Sequence, residues 1–379
     1  MARSQRRLHV TEPITRRLLP HFTSVSAYAS VKPPERVGED SGLDPANVIK
    51  LDANENPYGP TPAVRRVIET FASSAIYPDP DQVQLREALA RHTEVGAGRI
   101  VGAAGSDELI DLLLRLFVGQ GDRVVTATPT FGMYSFSTEV VGGEFDAVER
   151  AKNDFSLDLP RMVNAAAKAK LVILASPNNP TGNSVTQVEL LAMLETGTIV
   201  IIDEAYHEFS DQPSAAGLLE DFPNLFVLRT FSKWAGLAGL RVGYGIFPED
   251  LAAVLMRVKP PYNVGTLAQL AAIAALEDRE NAIDRVETIL ENRKALAAEL
   301  ATLPGARVYP SDANFLLVRF SGHDARSLHA RMRERGIALR RFDTPGLEDC
   351  IRVSVGLPEQ NETLVKTFAQ LMSEVVQHG

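Results

Sequence analysis

Between about residues 60 and 250, short apolar runs alternate with stretches in which apolar residues recur at helical spacing. The short runs lie at 124–127, 171–174, 199–202, 225–228 and 242–246. A strand that is apolar on both faces is buried on both faces, which is typical of a mostly parallel sheet covered by helices. The pattern therefore predicts an α/β fold in which right-handed crossovers join the strands.

The last third of the chain has a different pattern, with a long helix, several short strands and a final helix. The predicted helices span 266–302 and 360–376, and the predicted strands lie at 308–310, 314–318, 337–340 and 351–355. This mixture of elements predicts a smaller α+β domain beside the large one.

These two patterns divide the chain into three parts. We expect an N-terminal arm over 1–45, a large domain over 46–262 and a small C-terminal domain over 263–379, with the arm packing near the small domain. The first 17 residues are rich in arginine and contain one acidic residue, Glu12. Such a start fits an organelle transit peptide, a disordered arm or an upstream start codon.

Composition and charge exclude several classes of protein. The 379 residues are 45% hydrophobic and 23% charged, which is ordinary for a soluble globular protein. A net charge of −9 gives no support to nucleic-acid binding, and no apolar run is long enough for a transmembrane helix. The single cysteine, Cys350, excludes an intramolecular disulfide and a multi-cysteine metal site. It fits a reducing compartment, and we expect a cytoplasmic protein without a metal.

Lys233 is the strongest candidate for chemistry. It lies in the segment R-T-F-S-K-W-A-G-L-A-G-L-R, which ends at Arg241, eight residues further on. A lysine that is partly desolvated or close to other cations can form a Schiff base with an aldehyde. The hydroxyl of Ser232 and the guanidinium of Arg241 suit a phosphate. An aldehyde that carries a phosphate describes pyridoxal 5′-phosphate (PLP), although a lone Ser-Lys pair is more often an ordinary surface turn.

Two further motifs each have an ordinary interpretation as well as a functional one. Ser106, in G-S-D-E-L, is a candidate N-cap for a strongly apolar helix, and a helix N-terminus attracts phosphate. Simple capping explains the same residues. Asn179, in S-P-N-N-P-T-G after the strand at 171–174, could donate its amide to the phenolate oxygen of a pyridoxal ring. The same segment is also rich in turn residues.

Asp203 follows the apolar strand at 199–202, within D-E-A-Y. A carboxylate at the end of a buried strand is costly unless it is paired. A protonated pyridine nitrogen would be such a partner, and this pairing makes PLP an electron sink. Tyr206 could also reach the ring oxygen. Asn179, Asp203 and Lys233 are separated by 24 and 30 residues and so come from three successive strand ends, where ligands of α/β sheets bind.

With these four motifs in this order, the chain from about Tyr28 onward resembles the fold-type I PLP-dependent aminotransferases. Within them it is most similar to the histidinol-phosphate aminotransferase family. The segments that carry this closer resemblance are L-D-A-N-E-N-P-Y-G-P (51–60), Y-P-D (77–79), R-T-F-S-K (229–233) and C-I-R-V-S-V-G (350–356).

The resemblance implies roles around the cofactor. Lys233 would bond to PLP and shuttle a proton between the substrate Cα and cofactor C4′, Asp203 would pair with the pyridinium, and Asn179 and Tyr206 would hold the ring oxygen. The residues implied around the cofactor phosphate are Gly105, Ser106, Asp107, Ser232 and Arg241. Phe131, in P-T-F-G-M-Y, would stack on the ring, although many relatives have Tyr there and plain core packing is the alternative. The Asn179–Pro180 bond is expected to be cis, as in relatives.

The resemblance also implies contacts with the substrate and with a second subunit. Arg352 would clamp the substrate α-carboxylate, and an ion pair on the surface is its alternative. The residues implied at the rest of the substrate are Tyr28, Asn54, Asn179 and Arg340, with Arg341 as a competitor of Arg340. Tyr77 would reach the cofactor phosphate of the neighbouring subunit in a homodimer, and Tyr262 is a further possible contact with that subunit.

The reaction implied is ping-pong transfer of an amino group from L-glutamate to imidazole-acetol phosphate, which yields L-histidinol phosphate and 2-oxoglutarate for histidine biosynthesis. Three alternatives remain open. A phenylalanine-type aromatic aminotransferase shares nearly all these motifs. A PLP-dependent decarboxylase or C–S lyase shares the fold, and a non-catalytic PLP-binding module shares the cofactor.

Overall fold

The computed structural model describes residues 13–376. Most of the arginine-rich start, including Glu12, lies outside these residues. The described helices are α1 (Pro34–Ser41), α2 (Pro62–Thr70), α3 (Val83–Thr93), α4 (Ser106–Phe117), α5 (Met133–Val140), α6 (Leu159–Ala166), α7 (Gln187–Leu194), α8 (Glu249–Val258), α9 (Thr266–Glu277), α10 (Arg279–Leu300), α11 (Ala325–Glu334) and α12 (Pro358–Val376). None of these helices is both long enough and apolar enough to cross a membrane.

The described strands form one large sheet and two small ones. In chain order they are β1 (Ile49–Lys50), β2 (Ile100–Ala103), β3 (Arg123–Thr128), β4 (Glu144–Glu149), β5 (Leu171–Ala175), β6 (Ile199–Asp203), β7 (Leu225–Thr230), β8 (Gly243–Ile246), β9 (Ala306–Val308), β10 (Phe315–Phe320), β11 (Ile337–Ala338), β12 (Arg340–Arg341) and β13 (Cys350–Ser354). The large sheet has the order β2-β8-β7-β6-β5-β3-β4. Its strands are parallel except β8, which is antiparallel to both β2 and β7. The predicted α/β class with a mostly parallel sheet is confirmed.

Helices cover both faces of the large sheet, which explains why its central strands are apolar throughout. Along β5, Leu171 and Ile173 pack into one hydrophobic cluster and Val172 and Leu174 into the other. All four are buried to within 1% exposure. Successive side chains of a strand point to opposite faces, so each residue of β5 enters a different core. Two layers of helices around one sheet follow directly from the sequence of such strands.

The small sheet has four antiparallel strands in the order β12-β13-β10-β9, and β1 pairs separately with β11. Two sequence predictions in this region are wrong in detail. The helix expected over 266–302 is two helices, because the backbone at Asp278 leaves the helical conformation (φ −101°, ψ 32°). Aspartate favours helix ends over helix interiors. The strand expected over 337–340 is divided between β11 and β12, which belong to different sheets.

Helix α10 connects one core of the large sheet with the core of the small sheet. Val286 and Ile289, towards its start, pack with the core of the large sheet that contains Val172 and Leu174. Leu296 and Leu300, towards its end, pack with the core of the small sheet. The predicted domain boundary at residue 262 stays a prediction.

Candidate active site

The carboxyl ends of β3, β5, β6 and β7 meet the start of α4 around one cavity of about 570 Å³. Parallel strands end at the same edge of their sheet, so the residues that follow them gather there. The predicted residues that line the cavity are Tyr28, Asn54, Ser106, Asp107, Phe131, Asn179, Asp203, Tyr206, Ser232, Lys233, Arg241, Arg340 and Arg352. Gly105 and Tyr77, which the structure also describes, lie outside its lining.

Lys233 follows β7 and projects into this cavity. Its Nζ donates a hydrogen bond to the carbonyl oxygen of Ala53 at 2.9 Å and lies 5.8 Å from the ring centroid of Tyr206. Burial, with a further contribution from Arg352, lowers the pKa of Lys233 to about 8. At neutral pH a far larger fraction of this amine is therefore neutral than for an ordinary lysine, and the neutral amine is the form that attacks a carbonyl carbon.

Asp203 ends β6 and is only 5% exposed. Its Oδ2 accepts a hydrogen bond from the hydroxyl of Tyr134 at 2.7 Å, and its Oδ1 accepts one from the backbone N–H of Ala205 at 3.1 Å. Burial raises the pKa of Asp203 to about 6. Within residues 13–376 no cation forms an ion pair with this carboxylate, so the site holds a buried anion ready for a cationic partner.

A cationic corner forms where the loop after β7 meets the start of α4. The guanidinium of Arg241 lies 3.1 Å from the carboxylate of Asp107 and 3.4 Å from the hydroxyl of Ser232. Gly105 has a φ of +83°, a backbone conformation that residues with a Cβ rarely adopt, and a Cβ there would also displace the guanidinium of Arg241. Ser106 is the first residue of α4 and not its N-cap, because Gly105 occupies the N-cap position. A helix start beside a guanidinium suits an anion such as phosphate.

Two arginines of the small sheet form a cationic wall on another side of the cavity. Arg340 and Arg352 are direct cross-strand partners on β12 and β13, which places them side by side. The Nη1 of Arg352 donates to the Oδ1 of Asn179 at 2.6 Å, and its buried Nε has no hydrogen-bond partner in the described part of the chain. Arg340 donates to the carbonyl oxygen of Ala29 at 2.7 Å. Arg341 pairs with Asp343 at 2.7 Å, so Arg340 is the one of the two neighbours that lines the cavity.

Asn54 and Tyr206 form a polar network on the floor of the cavity. The Nδ2 of Asn54 donates to the hydroxyl of Tyr206 at 2.9 Å, and the hydroxyl of Ser354 donates to the Oδ1 of Asn54 at 2.9 Å. Asn314 donates to the carbonyl oxygen of Asn54 at 3.0 Å. Burial raises the pKa of Tyr206 to about 12, so its hydroxyl keeps its proton and can donate it to a ligand.

Aromatic rings form the remaining wall. Phe131 lies edge-on to Tyr134 at 5.6 Å and to Tyr28 at 6.1 Å between ring centroids. Tyr77 does not line the cavity. Its side chain is 76% exposed and stacks on Tyr262 with 4.5 Å between the ring centroids.

The peptide bond between Asn179 and Pro180, which follows β5, is cis, so the expected cis form is confirmed.

The sequence of the chain matches a known protein family over most of its length. The family model described as Aminotransferase class I and II matches residues 46–368. The chain belongs to this family. It is 45% identical to the histidinol-phosphate aminotransferase of Roseiflexus castenholzii, over 94% of this chain and 99% of that protein. It is 39% identical to the chloroplastic histidinol-phosphate aminotransferase 1 of Arabidopsis thaliana, over 93% and 85% of the two chains.

Among solved structures, this aminotransferase is similar to histidinol-phosphate aminotransferase from Sinorhizobium meliloti in complex with pyridoxal-5′-phosphate. The TM-score is 0.87 with 29% identity, over 95% of this chain and 98% of that chain. L-threonine-O-3-phosphate decarboxylase from Porphyromonas gingivalis has a TM-score of 0.75 at 23% identity. That second likeness shows the shared fold alone.

Several polar residues of this aminotransferase's site were not predicted from the sequence. The most important are Tyr134, which holds Asp203, and Ser354 and Asn314, which hold Asn54. Tyr134 lies three residues after Phe131, and a buried tyrosine needs a partner for its hydroxyl. That requirement was the one signal in the sequence that could have identified it.

A buried ion pair supports the site from the opposite face of the sheet. Glu204 directly follows Asp203, and its carboxylate accepts from the Nε of Arg229 at 2.9 Å. Burial alone would raise the pKa of Glu204, but Arg229 and the surrounding donors hold that pKa below its usual value. The backbone N–H of Ala215 and the hydroxyl of Ser214 complete the hydrogen bonds to this carboxylate. The pair therefore ties the segment after β6 to the strand that leads to Lys233.

Arg229→Ala is expected to lower the free energy of unfolding by about 3–5 kcal/mol, because it leaves Glu204 buried without its cation. The double variant Arg229→Met/Glu204→Gln removes both charges and should recover part of that loss. Arg115→Ala breaks the exposed ion pair with Asp111 and, as the control, should cost less than about 1 kcal/mol. Denaturant titration measures all three variants, and equal small losses for the two pairs would contradict the expectation.

Proposed function

We propose that this chain is a PLP-dependent aminotransferase that transfers the amino group of L-glutamate to imidazole-acetol phosphate. The products are 2-oxoglutarate and L-histidinol phosphate, and the pathway is histidine biosynthesis. The observation that carries the proposal is the placement of Lys233 and Asp203 in one cavity with two adjacent arginines, Arg340 and Arg352. Relatives named histidinol-phosphate aminotransferase support the choice of substrate.

The residues present fit PLP. Asp203 is a buried carboxylate without a cation among the described residues and would pair with the pyridine nitrogen. Lys233 would hold the aldehyde carbon, and Phe131 would cover the ring. The residues that would hold the phosphate are Gly105, Ser106, Asp107, Ser232 and Arg241. Bound there, PLP supplies an electron sink for the electron pair left at the substrate Cα.

Asn179 and Tyr206 are suited to hold the ring oxygen. The Oδ1 of Asn179 already accepts from Arg352, which leaves the amide Nδ2 as a donor. The hydroxyl of Tyr206 accepts from Asn54 and keeps its own hydrogen to donate. Two neutral donors at one oxygen stabilise a negative charge there.

The protein's own residues then bind the substrate and move a proton. Arg352 binds the α-carboxylate of glutamate through the paired N–H groups of its guanidinium. Arg340, with Tyr28 beside it, is available to the phosphate of the second substrate. The amine of Lys233 removes the proton from the substrate Cα when it is neutral, and its lowered pKa supplies that form. Because one site serves both substrates, the kinetics are ping-pong.

A spectral titration tests the choice of substrate. L-Histidinol phosphate and L-phenylalanine are added separately, at equal concentration, to the PLP-loaded protein while the cofactor absorption band is followed. We expect histidinol phosphate to discharge the band far more readily, because Arg340 and Arg352 together match a phosphate. Preference for phenylalanine would replace the proposal with an aromatic aminotransferase, which the aromatic wall of Tyr28 and Phe131 would also accommodate.

The same proposal includes a cytoplasmic homodimer. Tyr77 and Tyr262 form a stacked aromatic pair that is largely exposed, next to Ile76, which is 73% exposed. An exposed apolar patch of this kind is typical of a surface that a partner covers. A second copy of the chain would cover it and bring Tyr77 to the neighbouring cofactor phosphate. The free thiol of Cys350 is buried and supports a reducing compartment.

A further inference from the structure

One acidic residue of the cavity has neither a role in the scheme above nor a side-chain partner among the described residues. Five carboxylates of the described residues line the cavity, and four of them have a side-chain partner. These four are Asp52 and Glu55 on Lys50, Asp107 on Arg241, and Asp203 on Tyr134. The fifth is Glu139, which is partly buried. Within residues 13–376 neither a hydrogen bond nor an ion pair engages its carboxylate.

Glu139 lies on the face of α5 that borders the cavity. Gly132, Ser135, Phe136 and Glu139 all line it, at the three- and four-residue spacing of one helix face. The rise of an α-helix places Glu139 about 10 Å along the axis from Gly132. Among the described residues, Glu139 is thus an unpaired carboxylate on the α5 side of the cavity, whereas Arg340 belongs to the wall from the small sheet.

These two walls differ in the chemistry that they recognise. The arginines attract a phosphate or carboxylate. A carboxylate that is partly removed from water instead attracts an N–H group, and most strongly a cationic one. Imidazole offers one N–H when neutral and two when protonated, whereas a phenyl ring offers none. A substrate with a phosphate at one end and an imidazole ring at the other matches both walls.

We propose that Glu139 is a specificity-determining residue that accepts a hydrogen bond from the imidazole N–H of the substrate. The inference rests on the proposed function, since it assigns the ring end of that same substrate. It also assigns a direction to the substrate, with the phosphate at Arg340 and Arg352 and the ring towards α5. The side-chain carboxylate of glutamate is repelled by Glu139 and is directed to the arginines instead.

The test compares half-reactions of the PLP-loaded enzyme and of two variants. Glu139→Gln keeps an acceptor oxygen but loses the charge, and it should lower kcat/KM for histidinol phosphate by about 10-fold. Glu139→Leu removes the acceptor and should lower the same constant by about 100-fold. With glutamate, both variants should react as fast as the wild type or faster. With phenylalanine, Glu139→Leu should react faster.

The pH dependence of KM gives an independent measure of the same contact. An imidazole has an ordinary pKa of about 6.5, and a carboxylate partner favours its protonated form. For the wild type, KM for histidinol phosphate should therefore rise as the pH increases through this region. The rise should be weaker in Glu139→Gln. The second ionisation of the phosphate, near pH 6, affects both proteins equally and cancels in the comparison.

Glu144→Gln is the matched control, because it removes the same charge from an exposed position five residues further on. We expect it to behave as the wild type. A wild-type enzyme that does not react with histidinol phosphate would overturn the proposed function. A wild type that reacts, together with a Glu139→Leu variant of unchanged preference, would overturn this inference alone. Equal losses with glutamate and histidinol phosphate would also overturn it, since they would show that Glu139 only shapes the cavity.

Discussion

Lys233→Ala is expected to abolish both half-reactions, with the rate of amino transfer reduced by about 10⁴-fold or more. No other amine lines the cavity among the described residues, so no side chain there can replace it as the base. The cofactor would still bind noncovalently, since the cationic corner around Arg241 and the carboxylate of Asp203 are unchanged. Single-turnover measurements with glutamate and with histidinol phosphate give the two rates separately.

The reactivity of Lys233 should also depend on pH in a defined direction. At pH 7, a pKa of about 8 leaves roughly one amine in ten neutral, against about one in several thousand for an ordinary lysine. Attachment of PLP to the cofactor-free protein should therefore accelerate from pH 6 to pH 8 and level off above it. Lys233→Arg is the control, because it keeps a cation but cannot react. Turnover retained by Lys233→Ala would show that another group moves the proton.

The sequence was sufficient to predict which residues gather around the cavity, because most of them follow the ends of buried strands. An apolar run that ends in a carboxylate, as at Asp203, or that is followed closely by a lysine, as at Lys233, is unusual for a simple core. The parallel sheet then brings such ends together without further information. The core strands β5 and β6 were predicted for the same reason, since both faces are apolar.

Residues whose role depends on distant partners could not be predicted in this way. Tyr134 is 69 residues from Asp203, and Ser354 is 300 residues from Asn54. In the sequence, a buried tyrosine requires a partner for its hydroxyl, but the sequence does not show which residue that partner is. Only the crossing of the helix over the sheet edge brings its hydroxyl to the carboxylate.

Predictions from the local sequence pattern were also wrong where one or two residues determine whether a helix continues or a strand forms. Asp278 interrupts the helix expected over 266–302, although the flanking residues keep good helical periodicity. The edge strand β4 escaped prediction because Glu144 and Glu149 leave it too polar for a buried strand. Arg340 and Arg341 could not be separated until the register of β12 on β13 was known. Each failure reflects tertiary structure that overrides local preference.

Asp203→Asn is expected to lower the rate of amino transfer by about 100- to 1,000-fold, because a neutral amide cannot stabilise a positive charge on the pyridine nitrogen. Asparagine has the same shape as aspartate and can still accept the hydrogen bond from Tyr134. The loss in rate therefore measures the effect of the negative charge. Tyr134→Phe removes only that hydrogen bond, which measures 2.7 Å, and should cost about 10-fold or less. Single-turnover rates with glutamate, measured on PLP-saturated protein, compare the three enzymes.

Asp203→Asn, which should slow amino transfer, should stabilise the folded protein when no cofactor is bound. Burial raises the pKa of Asp203 to about 6, so its charged form is less favourable in the folded state than in the unfolded one. The wild type therefore loses stability as the pH rises from about 4 to 6, and at pH 7 it carries this full penalty. Asp203→Asn lacks the penalty and should melt a few degrees higher without PLP, but gain less from added PLP. If Asp203→Asn instead lowers the melting temperature both with and without PLP, Asp203 is needed for folding. The carboxylate would then not be a charge that the fold keeps for the cofactor.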